Sequence, residues 1–212
     1  MRAVNPAFRG RLRAAAEAAQ IALDLGEIIR LEQYFALLAR WNPTINLTSL
    51  ALDPLSDATI SRLLVEPLQV ACRIDNAPLR WFDLGSGGGS PAIPLKIVRP
   101  LPTLTMVESR SRKAAFLSEV VRFLELTDAF VLQTRIEALE NSESRGALDL
   151  VTMRAVRPDE RLLGVVSALL VKGGRLCLFG GSPGKAVRVG LEQVDRIQLV
   201  GGDSSAEIFR KT

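Results

Sequence analysis

Residues 81–98 read WFDLGSGGGSPAIPLKIV. A short apolar stretch, Trp81 to Leu84, runs into the small residues Gly85 to Gly89, and an apolar pattern resumes after Pro91 at Ile93, Leu95 and Ile97. Strand, glycine turn and helix in that order make the first half of a βαβ unit. Glycine has no Cβ, so a ligand can come close to such a turn. The amides that open the following helix can then meet a carboxylate or phosphate. Asp83, at the strand end, is placed to hydrogen-bond a cationic or hydroxyl-bearing ligand.

Downstream the same texture repeats. TLTMVE (103–108), AFVLQT (129–134), LDLVTM (148–153) and RLCLF (175–179) read as short buried strands. KAAFLSEVVRFL (113–124) and ERLLGVVSALLV (160–171) read as amphipathic helices between them. Strands alternating with helices predict a parallel sheet. Ile197 to Val200 and Ala206 to Phe209 are two candidate closing strands.

Upstream, the chain reads as helical. Ile28, Leu31, Phe35 and Leu38 recur at helical spacing and lay an apolar stripe along one face. Asn42-Pro43 is expected to end that helix, because proline disfavours helical geometry in the residue before it. A second helix is expected over Asp53 to Cys72, with Pro54 in its first turn and Ile60, Leu63, Leu64 and Leu68 on its apolar side. Trp41 and Asn42 either pack this helical segment against the sheet or stack on an extruded base, and the low aromatic content, 5%, favours packing.

Composition narrows the chemistry. A chain of 212 residues, 48% hydrophobic and 24% charged, can bury a full core. No apolar run reaches the roughly 20 residues that span a bilayer, and Met1 to Arg13 lacks the apolar core of a signal peptide, so a cytoplasmic location is expected. There is no histidine, which removes imidazole-based nucleophilic designs and most transition-metal sites, and no metal is expected. Cys72 and Cys177 are expected to be buried apolar residues. The net charge of +4 is small, but two segments are locally basic. One holds Arg2, Arg9, Arg11 and Arg13; the other holds Arg161, Lys172, Arg175, Lys185 and Arg188. A polyanionic partner or an ordinary solvated face accounts for either.

Two ligand classes use a strand-end glycine turn. The dinucleotide fingerprint asks for glycine or alanine where Ser90 stands, before Pro91, so it fails at its third glycine. The acid-x-Gly-x-Gly turn from Asp83 to Gly87 is the form carried by S-adenosylmethionine-dependent methyltransferases. Glu108 ends the next strand about 20 residues beyond the turn, where an acid can accept both ribose hydroxyls of a nucleoside. Arg135, Ile136 and Glu137 follow the third strand and Arg154 the fourth, all at carboxyl ends of strands, where ligands sit in open α/β sheets. Arg135 and Glu137 read equally well as a surface ion pair.

With those residues in place, the chain resembles the RsmG (GidB) family, bacterial methyltransferases that modify guanine N7 of 16S ribosomal RNA. The resemblance rests on ARWNPTINLTSL (39–50), FDLGSGGGSPAIPL (82–95), VESRSRKAAFL (107–117), QTRIEAL (133–139), DLVTMRAV (149–156) and KGGRL (172–176). It implies a Rossmann-like class I methyltransferase fold of the α/β class, a mostly parallel seven-stranded sheet with flanking helices. A helical N-terminal segment, 1–72, would pack on a cofactor-binding core, 73–212, as one compact unit. It further implies S-adenosyl-L-methionine as cofactor, held by Asp83, Gly85, Gly87, Ser90, Glu108, Ile136, Glu137 and Arg154. The implied partner is 16S rRNA or the small ribosomal subunit, met by a monomer. The chain departs from the family at Ser90, usually a large apolar residue, at Ala92, usually glycine, at Leu63, usually histidine after Arg62, and at Gly180-Gly181, usually lysine-glycine.

Guanine N7 carries a free lone pair, so its methylation needs no general base. Arg154 is then a positioning group rather than a proton carrier. Because N7 alkylation leaves the purine cationic, Arg154 is expected to face an anion, either the cofactor carboxylate or an RNA phosphate. Two rival readings are a divergent or non-catalytic cofactor-binding member with another substrate, and a nucleotide-binding oxidoreductase.

Overall fold

The seven strands lie in one sheet of order β3-β2-β1-β4-β5-β7-β6. They are β1 (Arg80–Leu84), β2 (Thr103–Val107), β3 (Ala129–Leu132), β4 (Leu148–Arg154), β5 (Leu170–Phe179), β6 (Leu191–Gln198) and β7 (Ser205–Lys211). This computed structural model describes residues 6–155, 158–180, 189–200 and 204–212. Arg2, Gly181, Lys185 and Arg188 fall outside them. The first five strands are parallel, and β7 runs antiparallel to both its neighbours. The chain walks outward from β1 to β3 and then returns to β4 beside β1. Ligands of open parallel sheets bind at that switch point, beyond the carboxyl ends of the strands.

The helices are α1 (Pro6–Ala18), α2 (Leu25–Ile45), α3 (Asp57–Ile60), α4 (Glu66–Val70), α5 (Ala92–Val98), α6 (Ser111–Phe123) and α7 (Glu160–Leu169). One face of the sheet shares a core with the N-terminal helices, in which Phe8, Leu31, Leu64, Trp81, Leu104 and Phe116 are buried together. The opposite face packs mainly on α7, through Leu163 and Val166 against Val151, Met153 and Leu176. Burying a side chain of this size contributes roughly 1.5–3 kcal/mol.

Helix α2 starts at a capping box in which Asp24 and Glu27 each accept the other's backbone N–H. It does not stop at Asn42-Pro43 as expected but continues through Pro43 to Ile45. Proline in the last turn forfeits a single helical bond, and the end is set instead by Asn46, left-handed at φ 51°. The Asn42 side chain then accepts the amides of Leu47 and Thr48, both at 2.8 Å, fastening the turn that follows.

The helix expected from Asp53 begins only at Asp57, because Ser56 is the residue whose side chain caps it, accepting from Thr59 N. It is also interrupted by a π turn, Ser61–Val65, before α4. Strand β5 reaches back to Leu170, directly after α7, so the apolar end of ERLLGVVSALLV belongs partly to the sheet. The run Lys172-Gly173-Gly174 forms an irregularity opposite Leu148 and Leu150. Cys177 is buried, whereas Cys72 is exposed, contrary to expectation, because it sits on the solvent side of the short turn that ends the α4 helix.

Candidate functional site

The glycine turn begins where β1 ends. Gly85 and Ser86 both donate their amides to the Val107 carbonyl, at 2.9 and 3.1 Å, which ties the turn to the end of β2. Gly85, Gly87 and Gly89 all have positive φ, at 75°, 52° and 90°. A Cβ at Gly87 would meet only the Gly85 carbonyl, 3.8 Å away, so open space lies before the turn at that point. On its other side the turn is pressed by α2: the Tyr34 hydroxyl donates to the Gly88 carbonyl at 2.7 Å. Tyr34 is fully buried, and burial holds its hydroxyl far above the usual phenol range.

Glu108 stands directly after β2 and is buried. One of its oxygens accepts Gly87 N at 2.9 Å, the other Arg110 N at 2.8 Å. An ionised carboxylate offers about four lone-pair sites, so each oxygen can still accept a hydroxyl. Asp83 is buried beneath the turn. Thr152, in register with it on β4, donates its hydroxyl to Asp83 and accepts the Trp81 indole N–H at 2.9 Å. Burial pushes the Asp83 carboxyl up to about 6, against the lowering effects of the Thr152 hydrogen bond and the Arg154 charge.

A carboxyl held above its unfolded value favours the folded chain while it is protonated. Its contribution is therefore full below about pH 4 and is lost as the pH rises through about 6. Relative to Asp83→Asn, which cannot ionise, wild-type stability is expected to fall by about 2 kcal/mol between pH 4 and pH 7. Parallel urea curves of the two proteins across that range, running without divergence, would show that Asp83 is not held in this way.

Arg154, the last residue of β4, lies beside the turn and is almost enclosed, its side chain 8% exposed. The anion it faces is a protein carboxylate, Glu66, reached by Nη2 at 2.9 Å. From sequence a ligand anion is expected at this guanidinium, and in the structure Glu66 meets one of its nitrogens. Nη1 donates to the Arg62 carbonyl and to Ser90 Oγ, and Phe179 stacks on the guanidinium with its ring centre 4.6 Å away. Nε is buried with no partner in the protein. Burial lowers the Arg154 pKa to about 10, against the Glu66 charge, so the group stays cationic at neutral pH.

Ser90 bridges this cluster to the π turn, donating to the Leu63 carbonyl at 2.8 Å. The π turn alters the helical bonding pattern, and the carbonyls of Arg62 and Leu63 are taken by side chains from the sheet side. Ile136 packs against the apolar cluster containing Leu84 and Val107, whereas Glu137 is exposed on the same short helix. Arg135 is exposed too, and among the described residues no ion pair joins it to Glu137.

Asp83, Gly85, Gly87, Ser90, Glu108 and Arg154 thus gather at the switch point, with Ile136 and Glu137 toward the β3 edge. Tyr34, Glu66 and Thr152 also belong to this assembly; Glu66 is the acid that the family resemblance keeps after Arg62, whereas sequence reasoning selects neither Tyr34 nor Thr152. Glu66 is also an acid in an otherwise apolar helical run. Tyr34 had one visible signal, since it is the chain's one tyrosine and falls on the apolar stripe of α2. Trp41 packs edge-on against Phe116, centroids 5.8 Å apart.

Among the described residues no group of histidine, cysteine, aspartate and glutamate could hold a metal ion, and no helix is long and apolar enough to cross a membrane.

The chain matches the family model described as rRNA small subunit methyltransferase G over residues 27–190. A ribosomal RNA small subunit methyltransferase G from Xanthomonas oryzae pv. oryzae is 40% identical over 159 residues, covering 75% of this chain and 71% of that protein. One from Chloroflexus aggregans is 40% identical over 157 residues, and the chain spans 65% of its length. A solved SAM-dependent methyltransferase from Aquifex aeolicus superposes with a TM-score of 0.56, covering 74% of this chain and 95% of that one. At 14% identity that likeness is one of fold.

Proposed function

The chain belongs to the rRNA small subunit methyltransferase G family, and from that membership we propose that it transfers a methyl group from S-adenosylmethionine to guanine N7 of 16S ribosomal RNA. The observation that carries this reading is the open glycine turn held between two buried acids, Asp83 and Glu108, at the switch point of the sheet.

The residues present fit the cofactor. Glu108 has lone pairs left for two ribose hydroxyls, and ionised Asp83 suits an ammonium. Arg154 Nε is an unused buried donor for a carboxylate. Ile136 and Glu137 are assigned to the adenosine end, where a half-buried apolar side chain can support a ring. When bound, the cofactor supplies a methyl group on a sulfonium centre. The protein then has to hold the attacking nitrogen in line with that methyl, a contribution of proximity and orientation. Glu66 pairs with Arg154 through Nη2, which balances the cation and lessens its opposition to the charge that develops on the purine. No step calls for an imidazole, in keeping with a chain that has none.

The test is incubation with labelled S-adenosylmethionine and either unmodified small ribosomal subunits or protein-free 16S RNA, followed by chemical cleavage at 7-methylguanine. Label at a guanine N7 of either substrate is expected. Binding of S-adenosylhomocysteine without transfer to either RNA would instead mark a cofactor-binding module, and stabilisation by NAD alone an oxidoreductase.

A further inference from the structure

The ion cluster beside the glycine turn holds two guanidinium groups and one carboxylate. Arg62 and Arg154 both reach the same oxygen of Glu66, each at 2.9 Å. The other oxygen of Glu66 accepts the Ser204 hydroxyl at 3.3 Å. Among the described residues no second acid pairs with either arginine, so the cluster keeps one positive charge in excess.

The two arginines differ in what they can do with it. Arg154 is enclosed by Glu66, Ser90, the Arg62 carbonyl and Phe179. Arg62 is 36% exposed at its side chain and is the member that reaches solvent. Its Nη1 serves both Glu66 and Ser204, at 2.9 and 3.2 Å. Nε and Nη2, which form one edge of the planar fork, have no acceptor among the described residues. Such an edge matches the paired oxygens of a phosphate. Gly180, exposed just past β5, lies alongside it, and a Cβ there would stand 3.5 Å from Nη2.

We propose that Arg62 is a phosphate clamp for the substrate RNA, its Nε and Nη2 edge taking the two non-bridging oxygens of one phosphodiester at the mouth of the methyl-transfer site. This rests on the RNA methyltransferase reading above. Glu66 holds the guanidinium in place through Nη1 and leaves the outward edge free. A phosphodiester remains partly solvated when bound, as a half-exposed cation requires, whereas the carboxylate of an enclosed cofactor is matched by the buried Arg154.

The experiment is a titration of protein-free 16S RNA over a range of salt, beside S-adenosylhomocysteine binding and methyl transfer. Arg62→Gln is expected to reduce the slope of log affinity against log salt by about 1, because one phosphate contact is lost, and to weaken RNA binding about tenfold near 0.1 M salt. Arg62→Lys keeps a charge and is expected to restore the slope with only part of the affinity. Gly180→Asp tests the same point without touching Arg62. Aspartate tolerates the left-handed backbone at φ 71° better than most residues, and its carboxylate beside Nη2 should repel a phosphate and lower the slope.

A loss of fold would not lower the slope in both Arg62→Gln and Gly180→Asp while Arg62→Lys keeps it. An unchanged slope in Arg62→Gln, with wild type binding and methylating RNA, overturns the clamp alone. So does a fall in S-adenosylhomocysteine affinity that matches the fall in RNA affinity, which would put Arg62 on the cofactor carboxylate. If the wild type neither binds nor methylates RNA, the clamp falls together with the reading it rests on.

Discussion

Replacing Glu66 with alanine is expected to destabilise the protein by about 3–5 kcal/mol, the range for breaking a buried ion pair by removing one partner. The acid is 4% exposed at its side chain and is the carboxylate paired with an arginine that is 8% exposed. Without it, Arg154 keeps its charge in a site where Phe179 and two oxygens are its remaining company. Arg62 suffers less, because its guanidinium already reaches water. Glu66→Gln, which retains an acceptor, should fall between wild type and alanine. The double replacement Glu66→Leu with Arg154→Met should recover most of the stability, since a buried pair exchanged for apolar groups of similar volume is often neutral. Cofactor binding should not recover with it. Urea denaturation with S-adenosylhomocysteine titration separates the two effects, and a loss below about 1 kcal/mol in Glu66→Ala would remove the pair from the account of stability.

Gly89→Ala is the second large effect, expected at about 2–4 kcal/mol with loss of cofactor binding. At φ 90° an L side chain is strained whatever the space around it. Here there is no space: the added Cβ would stand 2.9 Å from Ile93 Cγ1 and 3.3 Å from Leu117 Cδ2. Relief requires α5 or α6 to move, and α5 is bonded to the turn itself, Ile93 N donating to Gly89 O at 2.7 Å. The neighbouring Gly87→Ala provides the contrast. Its Cβ would meet only the Gly85 carbonyl at 3.8 Å, so its cost should be the backbone strain alone, about 1 kcal/mol, while it still intrudes on the ligand side. Equal stability losses in the two variants would contradict the packing argument.

Much of the sheet was legible because its signals are local. A buried parallel strand announces itself as a short apolar run, and WFDL, TLTMVE, AFVLQT, LDLVTM and RLCLF each contain or overlap a strand. The glycine turn was legible for the same reason. Boundaries that depend on a competing local bond were not: α2 runs past Pro43 because Asn46 supplies the left-handed cap, and the next helix waits for the Ser56 side chain. Arg154 was noticed for standing after an apolar strand with no acid near it in sequence. Its acid, Glu66, lies 88 residues away, and no pattern along the chain pairs the two.

The alternation of strands and helices, the turn that opens a ligand site, and a chemistry that must do without histidine are all written along the chain. Each follows from residues that act on their immediate neighbours in the chain. How the charges are shared is set in three dimensions, with Glu66 between two arginines, Ser90 joining the π turn to Arg154, and the outer edge of Arg62 beside Gly180 without an acceptor among the described residues. Those contacts join segments far apart in the chain, and an ion pair depends on distance in space, which no pattern along one strand or helix specifies.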